Sequence, residues 1–354
     1  MRPGIQSIGC PGCGETRPNP RASTVGAYRA AFSAGVRTLW VLEFSIASIS
    51  AWRPAGGNVS ARGVGSSGMD IGTFGIWSSL LRNAPEKDAI DAAKQIEALG
   101  FTAAWLPSGE VGQLERVRAL IEGTASLRIA TGILNVYRET DPERTAEVFS
   151  EIDRAHPERF LLGLGVGHPQ ALEPGQYGPP LGTMRLYLDG LDAAVHPVPV
   201  GRRVLAALRP GMLRLARDRS LGAHPYLTTP EHTVRAREIL GPDALLAPEQ
   251  GVVLDTDATR ARTTARTNLE RYLQLTNYLN SFRWLGFEDP DFAGGGSDRL
   301  IDALVGWGDV ETVAERLREH LDAGASHVTI QVLTDTPGEF PVAQWKALAE
   351  ALID

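Results

Sequence analysis

The chain has 354 residues, 43% hydrophobic and 22% charged, with a formal net charge of −7. This composition supplies a sizeable core and fits a soluble globular protein. It speaks against nucleic acid as the main partner, because phosphate neutralisation needs clusters of Lys and Arg that the sequence lacks.

Both cysteines, Cys10 and Cys13, lie in one "CPGC", so the rest of the chain manages without thiols or disulfides, which suits a cytoplasmic protein. A single C-x-x-C with no histidine before His156 gives no metal site. The apolar stretch Leu39 to Trp52 is interrupted by Glu43 and is shorter than the ~20 residues of a membrane helix. It also starts too far from the N-terminus for a signal peptide. We read residues 1–68, which end in "GGNVSARGVGSSG", as a disordered extension, and 69–354 as one domain.

From Asp70 a beat repeats: a short apolar run, a turn, then a stretch with apolar residues every three or four positions. The first predicted strand is Ile71 to Trp77, followed by a helix "PEKDAIDAAKQIEALG" that starts at Pro85 and stops at Gly100. "FTAAWLP" gives strand two and "GQLERVRALIEGT" its helix. Leu127 to Asn135 gives strand three, before a helix "DPERTAEVFSEID". Strand four is "LLGLGVGHP", leading into a Gly/Pro-rich loop from Glu173 to Gly182 that is long enough to wall a site. After the helix "TMRLYLDGLDAAV", strand five is "RRVLAAL", and a short helix opens at "RPGM". Strand six is "SLGAHPYL"; Thr229, Pro230 and Glu231 then read as N-cap, first-turn proline and acidic first-turn support.

Strand seven is "ALLAPEQGVVL". A helical insertion follows over Asp255 to Phe287, and "EDPDFAGGGSDRLIDALVGWG" then leads to the helix "DVETVAERLREHLDAGA". His327 to Leu333 makes strand eight, and "VAQWKALAEALI" the last helix. Eight strand and helix units fit a (β/α)8 TIM barrel with an insertion before strand eight better than an open doubly wound sheet. The insertion is a candidate cap or homodimer surface.

In such a barrel function gathers on the loops beyond the strands' C-terminal ends. Carboxylates are scarce there. Only Glu110 and Glu249 could form the pair a glycosidase needs, and Glu249 reads equally as a structural glutamate. No early-strand histidine pair or H-E-x-x-H supports metal hydrolysis, and no G-x-S-x-G supports acyl transfer. The spacing Gly163, Gly165, Gly167, His168 is not a G-x-G-x-x-G dinucleotide loop. What remains at the rim is small, aromatic and neutral-polar, a lining that suits a flat cofactor doing the chemistry itself. The "RPGM" helix start reads either as an anion site or as an ordinary helix start.

The run of "FGIW", "ALGFTAAWLP", "LRIATGILNVY", "ERFLLGLGVGHP", "GMLRLARDRSLGAHPYLTTPEHT", "LLAPEQGVVL" and "GGSDRLIDALVGWGD" resembles the luciferase-like monooxygenase superfamily, and within it the actinobacterial deazaflavin (coenzyme F420)-dependent oxidoreductases. The resemblance covers residues 70 to 336. It implies a (β/α)8 barrel holding F420, or alternatively FMN, at the C-terminal rim, with a non-proline cis peptide at Gly132 and Ile133. By the same resemblance Asn135, Gly165, Gly167 and His168 face the ring, and Trp105, from the rim lining, joins the cofactor-binding candidates. Leu208, Arg209, Gly211 and Met212, with Gly222 and Ala223, hold the phosphate tail, and His224 is structural or tail-binding. Relatives tend to carry an acidic residue after the strand-two "WLP"; this chain has Ser108, with Glu110 two positions on, so Glu110 substitutes or no such group is needed.

The implied reaction is hydride transfer between a small organic substrate and the deazaflavin, with His168 either moving the accompanying proton or orienting the cofactor. An FMN-dependent monooxygenase using oxygen and a cofactor-binding protein without turnover are the alternatives. The strand-four glycines are expected to clear space for the flat ring.

Overall fold

The computed structural model describes residues 69–168, 170, 178–336 and 338–353. The expected N-terminal extension with its "CPGC", and most of the loop after strand four, lie outside the described residues.

Among the described residues eleven strands form one sheet system, and every strand pairing in it is parallel. In chain order they are β1 (Phe74–Trp77), β2 (Ala103–Leu106), β3 (Arg128–Thr131), β4 (Leu134–Asn135), β5 (Phe160–Gly165) and β6 (Arg203–Leu205). There follow β7 (Gly222–Ala223), β8 (Leu245–Leu246), β9 (Glu249–Val253), β10 (Val305–Trp307) and β11 (Val328–Val332). Two pairs are fragments of single runs. Strand three is broken by the cis peptide Gly132–Ile133 into β3 and β4, both of which lie against β5. Strand seven is broken at Ala247 and Pro248 into β8, paired with β7, and β9, paired with β11.

That second break closes the molecule. Because β11 also pairs with β1, the run 245–253 bonds the sixth strand position on one side and the eighth on the other, and eight parallel positions form a ring. β10 is outside this count. It extends β9 from within the insertion, where the sequence reading named no strand.

The strands are buried along almost their whole length, as expected of parallel strands covered on both faces. Their period-2 alternation sorts side chains between two cores. Ala103, Trp105, Ala130, Leu161 and Val204 fill the barrel interior, while Ala104, Leu106, Ile129, Phe160, Leu162 and Leu164 pack under the helices. Helix starts follow local chemistry: Asp141 accepts from the Arg144 N–H with Pro142 at the first position, and Thr229 accepts from the His232 N–H ahead of Pro230.

The insertion is several pieces, chiefly helices Ala258–Leu269, Thr276–Trp284 and Asp298–Leu304. It has its own apolar cluster built on Leu269, Tyr278, Phe282, Leu300 and Ile301, continuous with Val253 and Leu333 at the ends of β9 and β11. This seats the insertion over the C-terminal end of the barrel. Among the described residues no helix is long and apolar enough to cross a membrane.

Candidate active site

A cleft of about 1280 Å³ opens at the C-terminal ends of the strands, between the barrel rim and the insertion. Its floor is mostly backbone. Gly132 and Ile133, joined by the cis peptide, lie beside Gly165, Gly167 and Ala206 at the exits of β5 and β6. Its roof comes from the insertion, with Tyr272, Thr276, Asn277 and Tyr278.

Of the residues expected at the site, Gly132, Ile133, Asn135, Gly165, Gly167 and His168 line this cleft together. So do Leu208, Arg209, Gly211, Met212 and His224. Arg209 to Met212 form the start of helix Pro210–Arg219, whose N-terminal partial positive charge opens on the same space.

Four expected residues are not among the lining. Trp105 is fully buried, one layer below the cleft. Gly222 and Ala223 are buried in β7, and a Cβ on Gly222 would fall 1.8 Å from the Leu245 carbonyl oxygen, so β7 packs on β8 and leaves no room there for a ligand. Glu110 is exposed, ahead of the short turn Val111–Gln113.

The strand-four glycines also have another cause than the expected one. A Cβ on Gly163 would stand 1.8 Å from the Thr131 carbonyl oxygen, on Gly165 2.6 Å from Ile133 Cγ1, and on Gly167 2.2 Å from Asn135 Nδ2. The glycines let β5 approach the bulge between β3 and β4; the space they clear is occupied by the protein.

Beneath the floor lies a hydrogen-bonded aromatic layer. His224 stacks on Trp105 at 4.2 Å between ring centroids. Trp105 Nε1 donates to His327 Nε2 at 3.2 Å, and His327 Nδ1 lies 2.8 Å from the Gly72 carbonyl. His224 Nδ1 lies 2.7 Å from the Ala247 carbonyl. A carbonyl only accepts, so both rings carry their proton on Nδ1. Burial drives both pKa values down to about 4, which leaves these imidazoles neutral and removes them as proton carriers near pH 7.

His168 is different. It is only partly buried at the β5 exit, and its Nδ1 lies 2.8 Å from Asn277 Oδ1. Burial lowers its pKa; the Asn277 hydrogen bond opposes this and the Arg271 charge adds to it.

The charges of the cleft are one-sided. Arg82, Arg138, Arg209 and Arg271 line it, and no Asp or Glu is among its described lining residues. Among the described residues Arg82 donates only to neutral groups, Asn83 Oδ1 and Gln113 Oε1, and its pKa is lowered by burial and by the neighbouring Arg138. A cationic cleft in a chain of net charge −7 attracts anions. Among the described residues no cluster of side chains could hold a metal ion.

Sequence reasoning missed Trp77, Arg82, Arg271 and the roof residues Asn277 and Tyr278. Arg82 sits on a one-turn helix, Leu80–Asn83, too short to show a period. The roof residues come from an insertion with no strand whose end could mark them.

The family model described as luciferase-like monooxygenase matches residues 69–327. No curated protein matches the chain. Among solved structures it is similar to an F420-dependent secondary alcohol dehydrogenase in complex with an F420–acetone adduct, at 14% identity over 79% of this chain and 98% of that one, TM-score 0.62. It is similar to the coenzyme F420-dependent tetrahydromethanopterin reductase of Methanopyrus kandleri, at 18% identity over 80% and 99%, TM-score 0.58. It is also similar to the FMN-complexed oxygenating constituent of 3,6-diketocamphane monooxygenase from Pseudomonas putida, at 15% identity over 79% and 97%, TM-score 0.55. Identities this low carry the fold, while the family match takes in the first seven strand positions and the insertion; the chain belongs to the luciferase-like monooxygenase family of enzymes.

Proposed function

We propose that the protein is an oxidoreductase that transfers a hydride between a small organic substrate and a deazaflavin of the F420 type. The observation that carries this reading is the cleft with four arginines spread around its rim and no acid among its described lining residues. Arg82 and Arg138 stand at the exits of β1 and β4. Arg209 stands beyond β6, the fifth strand position and so across the ring from the first. F420 carries a phosphodiester and a string of glutamates, so its charges are spread along its length. FMN has one phosphate, which Arg209 and the start of helix Pro210–Arg219 would satisfy, leaving Arg82 and Arg138 without a counter-charge.

The residues present fit such a group. Arg209 with Gly211 and Met212 would hold the phosphate, and the backbone floor at Gly132 and Ile133 would meet a flat ring. When bound, the deazaflavin supplies the carbon that accepts or gives the hydride. His168, neutral at pH 7 and with its Nδ1 proton directed at Asn277, presents Nε2 as a proton acceptor. The roof of Tyr278 and Tyr272 keeps water from the reacting atoms.

Titrating the full chain with F420 and with FMN, each oxidised and followed by fluorescence, tests the reading. F420 is expected to bind tightly and FMN weakly; tight FMN binding with none to F420 would overturn it in favour of a flavin monooxygenase.

A further inference from the structure

Glu249 has no part in the reaction as described, yet it faces a second hollow directly behind the cleft wall. That hollow has a volume of about 20 Å³, room for about one water molecule. Glu249, Asn268 and Gln331 line it, and Tyr226, Tyr272 and Arg271 line both the hollow and the cleft. One layer of side chains therefore separates the two spaces.

The hydrogen bonds across this layer run in series. Tyr226 Oη donates to Gln331 Oε1 at 2.8 Å and lies 2.9 Å from Tyr272 Oη. With the Tyr226 proton on Gln331, Tyr272 is the donor of the second bond. Arg271 Nη2 donates to Tyr272 Oη at 2.7 Å. On the far side Glu249 accepts from the Leu227 N–H through Oε2 at 2.9 Å; among the described residues no cation is within salt-bridge distance of it. A carboxyl buried this way costs stability relative to an apolar side chain, and a single backbone N–H does not repay that. The groups facing it are Tyr226 from the β7 exit, Tyr272 and Tyr278 with Arg271 from the insertion, and Gln331 from β11.

We propose that Glu249, a water in this hollow and the Tyr226–Tyr272 hydroxyl pair form a proton relay that opens on the cleft, with Glu249 storing the proton that the reaction consumes. Burial supports the assignment by pushing the carboxyl up to about 8, so it exchanges a proton near neutral pH. Its use rests on the hydride-transfer reading. In the reducing direction the substrate carbonyl carbon would take up a hydride, with both electrons, from the reduced deazaflavin. Once the two hydroxyls turn from Gln331 towards the cleft, the substrate oxygen takes the Tyr272 proton, Tyr272 the Tyr226 proton, Tyr226 a proton of the water, and the water the Glu249 carboxyl proton, leaving a carboxylate that reloads from solvent. No member of the relay changes oxidation state, and rotation of the two hydroxyls resets it.

The test uses the full chain with carboxyl-13C glutamate, read by infrared spectroscopy. At pH 7 a protonated carboxyl band is expected that is absent in Glu249→Gln and fades near pH 8. On transfer to D2O that band is expected to shift about tenfold more slowly in Tyr226→Phe and in Tyr272→Phe than in the parent, because each removes one hydroxyl step. Both variants keep the ring and its packing. An ionised Glu249 at pH 7, or exchange as fast in both variants as in the parent, would overturn the relay. These readouts need no cofactor, so a relay that passes them in a protein that fails to bind F420 refutes the hydride reading alone.

Discussion

His168 Nδ1 and Asn277 Oδ1, 2.8 Å apart, tie the exit of β5 to the first turn of insertion helix Thr276–Trp284. With the carbonyl of the amide as acceptor, the bond leaves the His168 lone pair on Nε2. Asn277→Asp puts a negative charge on the same nitrogen, so it raises the His168 pKa, by about one unit. The acidic limb of the kcat/KM profile moves up with it. Asn277→Leu removes the bond that opposes desolvation and lowers the pKa further. Histidine 15N NMR reads the ring directly in both variants. A limb that stays in place while the ring titration moves would make His168 a scaffold residue.

The cationic cleft predicts a graded response. Arg209→Ala weakens F420 binding by about tenfold or more through loss of a charge-assisted bond to the phosphate. Arg82→Ala and Arg138→Ala weaken it less, because they would meet the dispersed glutamate charges and not the phosphate at the start of helix Pro210–Arg219. Repeating the titration at high salt narrows the gap between parent and variants. Equal affinity of the parent and the Arg82→Ala, Arg138→Ala double variant at low salt would remove the argument for a ligand with charges at both ends.

Much of the barrel was legible because parallel strands buried on both faces read as short apolar runs, and crossover helices show a 3.6-residue period. "RRVLAAL" and "LRIATGILN" are such runs, and both lie where β6 and β3 with β4 are found. The breaks were less visible. Pro248 marks one within "ALLAPEQGVVL", but nothing in the run told that its two halves pair with different neighbours and close the ring. The glycines of β5 were located correctly and explained wrongly, because a gap along one strand cannot reveal which strand fills it. Rim residues on strand exits, such as Asn135, His168 and Arg209, were found by the position rule for barrels. Asn277 and Tyr278 were not, since the insertion obeys no such rule.

Four histidines should set the acid limit of stability. His224, His232 and His327 have pKa values lowered to about 4, and His320 to about 3, chiefly by burial. A depressed folded value means that the unfolded chain takes up protons first. The stability these groups contribute is full above about 6.5 and is lost as the pH falls through 4. Each is worth on the order of 3 kcal/mol, a sizeable part of the stability of a domain. Glu249 works with the opposite sign. Its folded value is raised to about 8, so its contribution is full below 4.5 and is lost as the pH rises to 8. Urea titrations across pH should show a maximum between the two limits, a steep acid fall with uptake of several protons, and a flatter alkaline side in Glu249→Gln. An alkaline fall unchanged in that variant would show that Glu249 is ionised in the folded protein.

Gly163 offers the sharpest packing test, because its constraint is backbone against backbone. A Cβ there would stand 1.8 Å from the Thr131 carbonyl oxygen and 2.9 Å from its carbon, at the point where Thr131 Oγ1 accepts from the Gly163 N–H at 2.8 Å and donates to the Gly163 carbonyl at 2.9 Å. No side-chain rotation relieves such an approach, so Gly163→Ala must move β5 from β3 and break both bonds. The expected loss is about 3 kcal/mol or more, read as a lower urea midpoint. The floor of the cleft sits on the same contact, since the bulge at Gly132 follows Thr131 directly. Weakened F420 binding is therefore expected alongside the stability loss, in protein that is still folded. Gly211→Ala is the control: its Cβ would meet only Leu181 Cδ2, at 3.7 Å, so stability should hold. If Gly163→Ala is as stable as the parent, the close approach of β5 to Thr131 is not a feature of the folded protein.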